Sequence, residues 1–214
     1  HRLGFSKTEK RFPRKDTCLG IYSHRVNTQR PLRHTLETVH PWCLDWEEQL
    51  TQLCRAYVEA KLEQQVLDYD DLLLYWHLMM ADPMLAAEIG ARYDHVLVDE
   101  YQDTNVLQAE ILRRLKPAGD GLTVVGDDAQ AIYSFRGATV ENILEFPERF
   151  SPPAHVVVLE ENYRSTQPVL DAANALMADG GRQYRKFLRS TRGGVKPRYV
   201  TVQDDQAQAG YVVE

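Results

Sequence analysis

Three short apolar runs, each followed at once by polar and charged residues, constrain this chain more than any other feature. The first is Val96-Leu97-Val98, leading into Asp99-Glu100-Tyr101-Gln102-Asp103-Thr104-Asn105. The second is Leu122-Thr123-Val124-Val125, leading into Gly126-Asp127-Asp128-Ala129-Gln130. The third is Val156-Val157-Val158-Leu159, leading into Glu160-Glu161-Asn162-Tyr163-Arg164-Ser165. Each apolar run suits a buried strand. Between the first two, Val106, Leu107, Ile111, Leu112 and Leu115 share one face of a helix expected from Thr104 to Leu115. Strand, helix and strand at that spacing make the βαβ unit of a parallel sheet. Neighbouring parallel strands open their carboxyl ends onto one crevice, where ligands bind. The three polar clusters are therefore expected to converge on a single site.

The flanking segments read as helices. Residues 1–41 are basic and interrupted by Pro13, Pro31 and Pro41, which predicts short helices joined by turns. From Trp42 onward, Trp46, Leu50, Leu53, Cys54, Tyr57, Val58, Leu62 and Val66 recur at three- and four-residue steps, the apolar face of a long helix. Trp46 and Tyr57 are expected in the core. Asp68, Asp70 and Asp71 open the next apolar run, where side-chain oxygens cap free N–H groups and oppose the helix dipole. Three carboxylates this close also allow a metal site. Asp82-Pro83 signals another start, for a helix ending near Gly90. A helix is expected from Thr139 to Phe150, then one capped by Ser165 with Pro168 in its first turn. Arg198 to Val202 reads as a strand, and Ala207 to Glu214 as the start of a helix.

Composition narrows the class. Of 214 residues 43% are hydrophobic, enough for a core, and no run of eighteen apolar residues exists to span a membrane. Cys18, Cys43 and Cys54 form no Cys-x-x-Cys pair, so free thiols in a cytoplasmic protein are expected. The net charge of -6 conceals segregation. Residues 1–33 carry nine Lys/Arg against two acids, and residues 182–198 carry seven and no acid. Such basic ends suit a polyanion, by releasing phosphate counterions, or a solvated surface. The chain opens on His1 rather than Met, and both ends are expected to be cuts within a longer protein.

The polar blocks have a coherent chemistry. At a strand end, one carboxylate of Asp99-Glu100 can hold Mg²⁺ against nucleotide phosphates while the other deprotonates the attacking water. A helix cap explains the pair nearly as well. The Gln130 amide can bond a γ-phosphate and release it after hydrolysis. Tyr133, Phe135 and Arg136 form an aromatic-x-aromatic-cation run. On an extended segment the two rings share a side, giving stacking faces for bases beside a phosphate-binding cation. The alternative keeps both rings in the core and pairs Arg136 with a carboxylate. Arg164 can neutralise a γ-phosphate, and Tyr163 can stack on adenine.

Taken together, Asp99-Glu100-Tyr101-Gln102-Asp103-Thr104, the long block from Val125 to Ala138 and Asn162-Tyr163-Arg164-Ser165 resemble motifs II, III and IV of UvrD/Rep-type superfamily 1 DNA helicases. Leu67 to Leu73 is similar to the family's segment leading from the helical 1B subdomain back to the ATPase core. The resemblance covers residues from about 42 to 214 and implies an α/β fold: part of a RecA-like P-loop NTPase parallel sheet with an added helical subdomain. It divides the chain into a helical 1B-type region (1–90), the second part of core domain 1A (91–155) and the opening of domain 2A (156–214). The implied activity is ATP-dependent 3′–5′ movement on single-stranded DNA and DNA junctions, in repair or replication, by a nucleoid-associated protein of the cytoplasm. The implied cofactors are ATP and Mg²⁺. Asp99 becomes the magnesium residue, Glu100 the general base and Gln130 the link between γ-phosphate and DNA. Tyr133, Phe135 and Arg136 contact DNA, Tyr163 stacks on adenine, and Arg164 meets the γ-phosphate. Trp is common in the family where Phe135 stands.

The sequence also departs from the family. It contains no Gly-x-x-x-x-Gly-Lys-Ser/Thr, the cradle that binds nucleotide phosphates, and lacks the later motifs with the second catalytic arginine. The 214-residue chain alone is expected not to hydrolyse ATP. Two other readings share the motifs: a helicase–nuclease subunit of the RecB/AddA kind, and a non-catalytic DNA-binding or regulatory module.

Overall fold

A computed structural model describes residues 3–5 and 11–213, so the sequence expectations for residues 1–2, 6–10 and Glu214 lie outside the described residues. The chain divides into two compact units, His1–His155 and Val156–Glu214. The first contains helices α1 (Lys15–Thr28), α2 (Leu32–Val39), α3 (Glu47–Gln64), α4 (Tyr69–Met79) and α5 (Pro83–Gly90). Strand β1 (Val96–Val98), helix α6 (Val106–Leu115), strand β2 (Leu122–Val124) and the one-turn helix α7 (Glu141–Leu144) follow. The second unit holds α8 (Gln167–Ala178) and α9 (Asp205–Val213).

Side-chain caps set the starts of α4, α5 and α6. The Asp68 side chain accepts the Asp71 N–H at 2.8 Å, and the Asp71 side chain accepts the Asp68 N–H at 3.1 Å. Asp82 accepts from Met84 and Leu85 just ahead of α5. Asn105 and Gln108 cap α6 in the same reciprocal way. The long helix expected from Trp42 begins as a tight 3₁₀ turn, Pro41–Trp46, before settling into α3.

Three apolar clusters hold the first unit together. Ile21, Leu36, Cys43 and Leu50 join α1, α2 and α3, with Trp46 packed against them. Tyr22, Val26 and Cys54 enclose Leu107, which plugs α6 into the helical layer. Met80, Ala86, Ile111 and Leu115 join α4, α5 and α6, and Val96 of β1 packs on this cluster. Full burial of a leucine such as Leu107 contributes about 1.5–3 kcal/mol, so α6 is the fastener between helices and sheet. The three cysteines are free, and burial lifts the Cys18 thiol to about 11, which keeps it protonated and unreactive.

β1 and β2 pair in parallel, Val96 with Leu122 and Val98 with Val124. The expectation of a buried strand is corrected: Val96 and Val98 are half-buried, whereas Leu97 is 77% exposed. With a period of two, the residues that face α5 and α6 leave Leu97 and Thr123 on the opposite, uncovered face. The helix expected over 139–150 is also shorter. It breaks into α7 and a 3₁₀ turn, Phe146–Arg149, because Pro147 has no N–H to continue it. Phe146 is thereby turned inward, edge-on to the Tyr101 ring at 5.2 Å.

In the second unit, neither Val156–Leu159 nor Arg198–Val202 forms a strand ladder among the described residues. Apolar β-branched runs report a preference for extended backbone but cannot supply a partner. The backbone pairing lies just beyond the first run, where Arg189 donates to Glu160 and Asn162 donates to Arg189. Thr166, not Ser165, is the N-cap residue of α8, and Leu170 is buried while Leu176 is exposed.

One charged cluster ties α1, α3 and α4. Lys61 Nζ lies 2.7 Å from both Asp68 and Asp71 and donates to the Tyr22 hydroxyl at 3.2 Å. Burial disfavours the Lys61 charge, but these three partners outweigh it and hold its pKa above the ordinary lysine value. Burial likewise opposes ionised Asp68, and bonds from Lys61, the Asp71 N–H and the Tyr57 hydroxyl prevail and lower it. Removing Lys61 strands two carboxylates, a loss of about 3–5 kcal/mol. Lys61→Met should lower unfolding free energy by that amount in a urea titration. Stability from Asp68 is present above the unfolded carboxylate value and lost as pH falls through its lowered folded pKa. Stability from Lys61 is present below the unfolded lysine value and lost as pH rises through its raised one. The difference in stability between wild type and Lys61→Met should therefore be flat near neutrality and shrink at both extremes.

Candidate functional site

The ladder does not stop at the strand ends. Val125 N–H donates to the Val98 carbonyl at 2.7 Å, and Tyr101 N–H donates to the Val125 carbonyl at 2.9 Å. The turns that follow β1 and β2 are thus held side by side. Glu100 adopts a left-handed backbone, φ 51°. That conformation costs a non-glycine residue about 1–2 kcal/mol, and the buried Tyr101 ring anchors the turn that imposes it. Asp99 and Glu100 stand exposed, with Asp99 Oδ1 accepting the Glu100 N–H at 2.9 Å.

Gln102 stitches the two turns. Its amide is 1% exposed; Nε2 donates to Glu100 Oε2 at 2.7 Å, and Oε1 accepts the Asp127 N–H at 3.0 Å. Asp127 in turn caps the 3₁₀ turn Asp128–Gln130 through the Ala129 N–H, and its Oδ2 accepts from Gln130 Nε2 at 2.7 Å. Glu100, Gln102, Asp127 and Gln130 form one hydrogen-bonded chain across the ends of two parallel strands. Gly126 makes this approach possible, since a Cβ there would lie 2.5 Å from Gln102 Oε1.

The aromatic run is not extended, as expected above, but coils into a 3₁₀ turn, Ser134–Arg136, entered from Tyr133. A helical turn directs residues two apart away from one side, yet the rings stay 5.8 Å apart and share one cation, the Arg136 guanidinium. It lies 5.3 Å from the Tyr133 ring and 5.5 Å from the Phe135 ring. Phe135 is 67% exposed, which removes the core reading, and Arg136 has no carboxylate ion pair among the described residues. Gly137, φ 81°, closes the turn.

In the second unit, the Asn162 side chain accepts the Arg164 and Ser165 N–H groups at 3.0 and 2.7 Å, shaping a turn that leaves Tyr163 and Arg164 exposed. Arg192 props it by donating to the Tyr163 and Arg164 carbonyls. Of the basic stretch nearby, Arg189 is paired with Glu160 at 3.2 Å.

The first unit therefore gathers Asp99, Glu100, Gln130, Tyr133, Phe135 and Arg136, while Tyr163 and Arg164 belong to the second. Sequence reasoning missed Gln102 and Asp127 as organisers. A glutamine among acids is ordinarily solvated, and only its burial marks it out. Asp99 fits a magnesium ligand: one exposed carboxylate with an oxygen left over suits an ion that takes one or two protein carboxylates and completes its shell with water and phosphate. Among the described residues no group of three His, Cys, Asp or Glu forms a complete cage.

Two polar turns at the carboxyl end of a parallel pair, braced by a helical layer, place the chain among α/β proteins. Residues 16–151 match the UvrD/REP helicase N-terminal domain. The chain is 37% identical over 199 residues to the ATP-dependent DNA helicase PcrA of Leuconostoc citreum, covering 92% of the chain and 26% of the relative. It is 37% identical over 212 residues to the ATP-dependent DNA helicase UvrD1 of Mycobacterium tuberculosis, covering 90% and 27%. A third relative, the putative ATP-dependent DNA helicase YjcD of Bacillus subtilis, is 33% identical over 171 residues, covering 79% and 22%. The chain belongs to the UvrD/REP helicase family. It spans about a quarter of the length of these relatives. No helix among the described residues is long and apolar enough to cross a membrane.

Gly126→Ala should push the Gln102 amide out of its bridge and cost about 1–3 kcal/mol, read as a lowered melting temperature. Gln102→Ala should recover part of the loss in the double variant, because the shortest contact, to Gln102 Oε1, is then gone and the one to Ile143 Cδ1 remains.

Proposed function

We propose that this chain is part of an ATP-dependent DNA helicase that moves 3′ to 5′ on single-stranded DNA. The observation that carries the reading is the hydrogen-bonded chain from Glu100 through Gln102 and Asp127 to Gln130, on the same unit as the exposed Tyr133–Phe135–Arg136 stack. In this reading residues 1–90 are a 1B-type region, 91–155 complete a RecA-like core domain 1A, and 156–214 open domain 2A.

Asp99 would hold Mg²⁺, which when bound neutralises charge on the nucleotide phosphates. Glu100 would take the proton of the attacking water, and its bond from Gln102 orients the carboxylate for that role. Gln130 would exchange its bond with Asp127 for a γ-phosphate oxygen, so the presence of that oxygen is felt at the turn leading to Tyr133. Tyr133 and Phe135 would stack on bases with Arg136 beside them, and Tyr163 and Arg164 would meet adenine and γ-phosphate. The sequence holds no Gly-x-x-x-x-Gly-Lys-Ser/Thr, so the phosphate cradle must come from elsewhere in a whole motor. Single-stranded DNA and DNA junctions are the expected partners, in repair or replication.

In the full-length protein carrying this chain, replacing both Tyr133 and Phe135 by Ala should weaken single-strand affinity by about 1–3 kcal/mol per lost ring, with ATP binding retained. Unchanged affinity in an anisotropy titration refutes the stacking role. Glu100→Gln should abolish DNA-stimulated phosphate release there. The purified 214-residue chain should release no phosphate from ATP; release that Glu100→Gln abolishes would refute that expectation.

A further inference from the structure

A second polar chain runs beneath the site and is absent from the reading above. Asn27, near the end of α1, is 6% exposed. Its Nδ2 donates to Asp70 Oδ1 of α4 at 2.7 Å and to the Ser23 carbonyl at 2.9 Å. Its Oδ1 accepts from Asn105 Nδ2 at 2.8 Å, across 78 positions of sequence. Asn105 is 7% exposed and caps α6, and its backbone forms an isolated antiparallel bridge with Ala138. Asn142, 2% exposed, closes the arrangement by donating to the Thr104 and Asn105 carbonyls at 3.0 and 3.2 Å. Gly137 lies directly on α1: a Cβ there would sit 3.2 Å from the Asn27 Cβ and 3.3 Å from Thr28 Cγ2.

The endpoints of this chain are what matter. Thr104 and Asn105 end the block that begins with Asp99 and Glu100, and Gly137 and Ala138 end the turn that displays Tyr133, Phe135 and Arg136. Packing alone would be met by apolar side chains without desolvating an amide. A buried amide bonded on both sides instead specifies one register, because any slip leaves a donor or acceptor unpaired.

We propose that Asn27 is a positioning residue that, through Asn105, holds the Tyr133–Gly137 turn in register with the Asp99–Glu100 turn and so couples DNA engagement to ATP turnover. The inference rests on the motor reading and adds a part of the helical region to its working machinery.

The test uses the full-length protein carrying this chain, with ATP hydrolysis measured against increasing single-stranded oligothymidylate. Asn27→Asp sets a second carboxylate against Asp70. It should raise the oligothymidylate needed for half-maximal stimulation about tenfold, on the order expected for one lost buried bond, a larger change than in maximal turnover. Asn27→Asp combined with Asp70→Asn restores a donor–acceptor pair with the roles exchanged and leaves an oxygen for Asn105, so it should return part of that loss, the new carboxylate still facing the Ser23 carbonyl. An unshifted half-saturation point in Asn27→Asp overturns the proposal. So does a double variant that regains its melting temperature without regaining DNA stimulation, since the bond then serves stability only. A wild-type protein whose hydrolysis ignores DNA would instead defeat the motor reading itself.

Discussion

The structure depends on continuing a three-residue parallel ladder past the point where its strands end. Two short strands have few hydrogen bonds to give, and Leu97 shows how little of their surface is covered. The bonds between Val98 and Val125 and between Tyr101 and Val125 extend the register into the loops. Everything of chemical interest in the first unit hangs from those loops. Gln102 then converts adjacency into a fixed spacing, because one buried amide must satisfy a carboxylate on one turn and an N–H on the other. An unmade bond there would leave a buried polar group without compensation.

The helical layer serves this arrangement as a brace. Leu107 enters the cluster of Tyr22, Val26 and Cys54, so α6 cannot move without disturbing α1 and α3. The Lys61 cluster fixes α3 against α4, and Asn27 extends α1 to the loops themselves. Apolar contacts supply most of the stabilisation, while the few buried polar bonds select which arrangement is stabilised. The strained backbone at Glu100 is tolerated because its neighbour Tyr101 is locked against Phe146.

Much of the local structure was legible because its causes are local. Asp68 and Asp82 announce helix starts through side chains that reach only two or three residues ahead. The βαβ order of Val96–Val98, Val106–Leu115 and Leu122–Val124 followed from periodicity alone. Two of the expectations that failed needed information from elsewhere. Val156–Leu159 has the composition of a strand, but composition cannot provide a partner. The Tyr133–Arg136 segment coils into a 3₁₀ turn whose guanidinium lies against both rings, which spacing on an extended chain does not reveal. Pro147 was visible in the sequence and should have ended the helix expected there.

By itself the sequence determined the polar blocks, the helices that flank them and the family, since these rest on residue identity and on contacts a few positions apart. Only the tertiary structure decided that Gln102, Asp127, Asn27 and Asn105 organise the site. Gln102, Asn27 and Asn105 are ordinary surface residue types until burial removes water as an alternative partner, and half-buried Asp127 is recruited through the Gln102 amide. The bonds they must then make connect positions up to 78 residues apart, and no local pattern records such a distance.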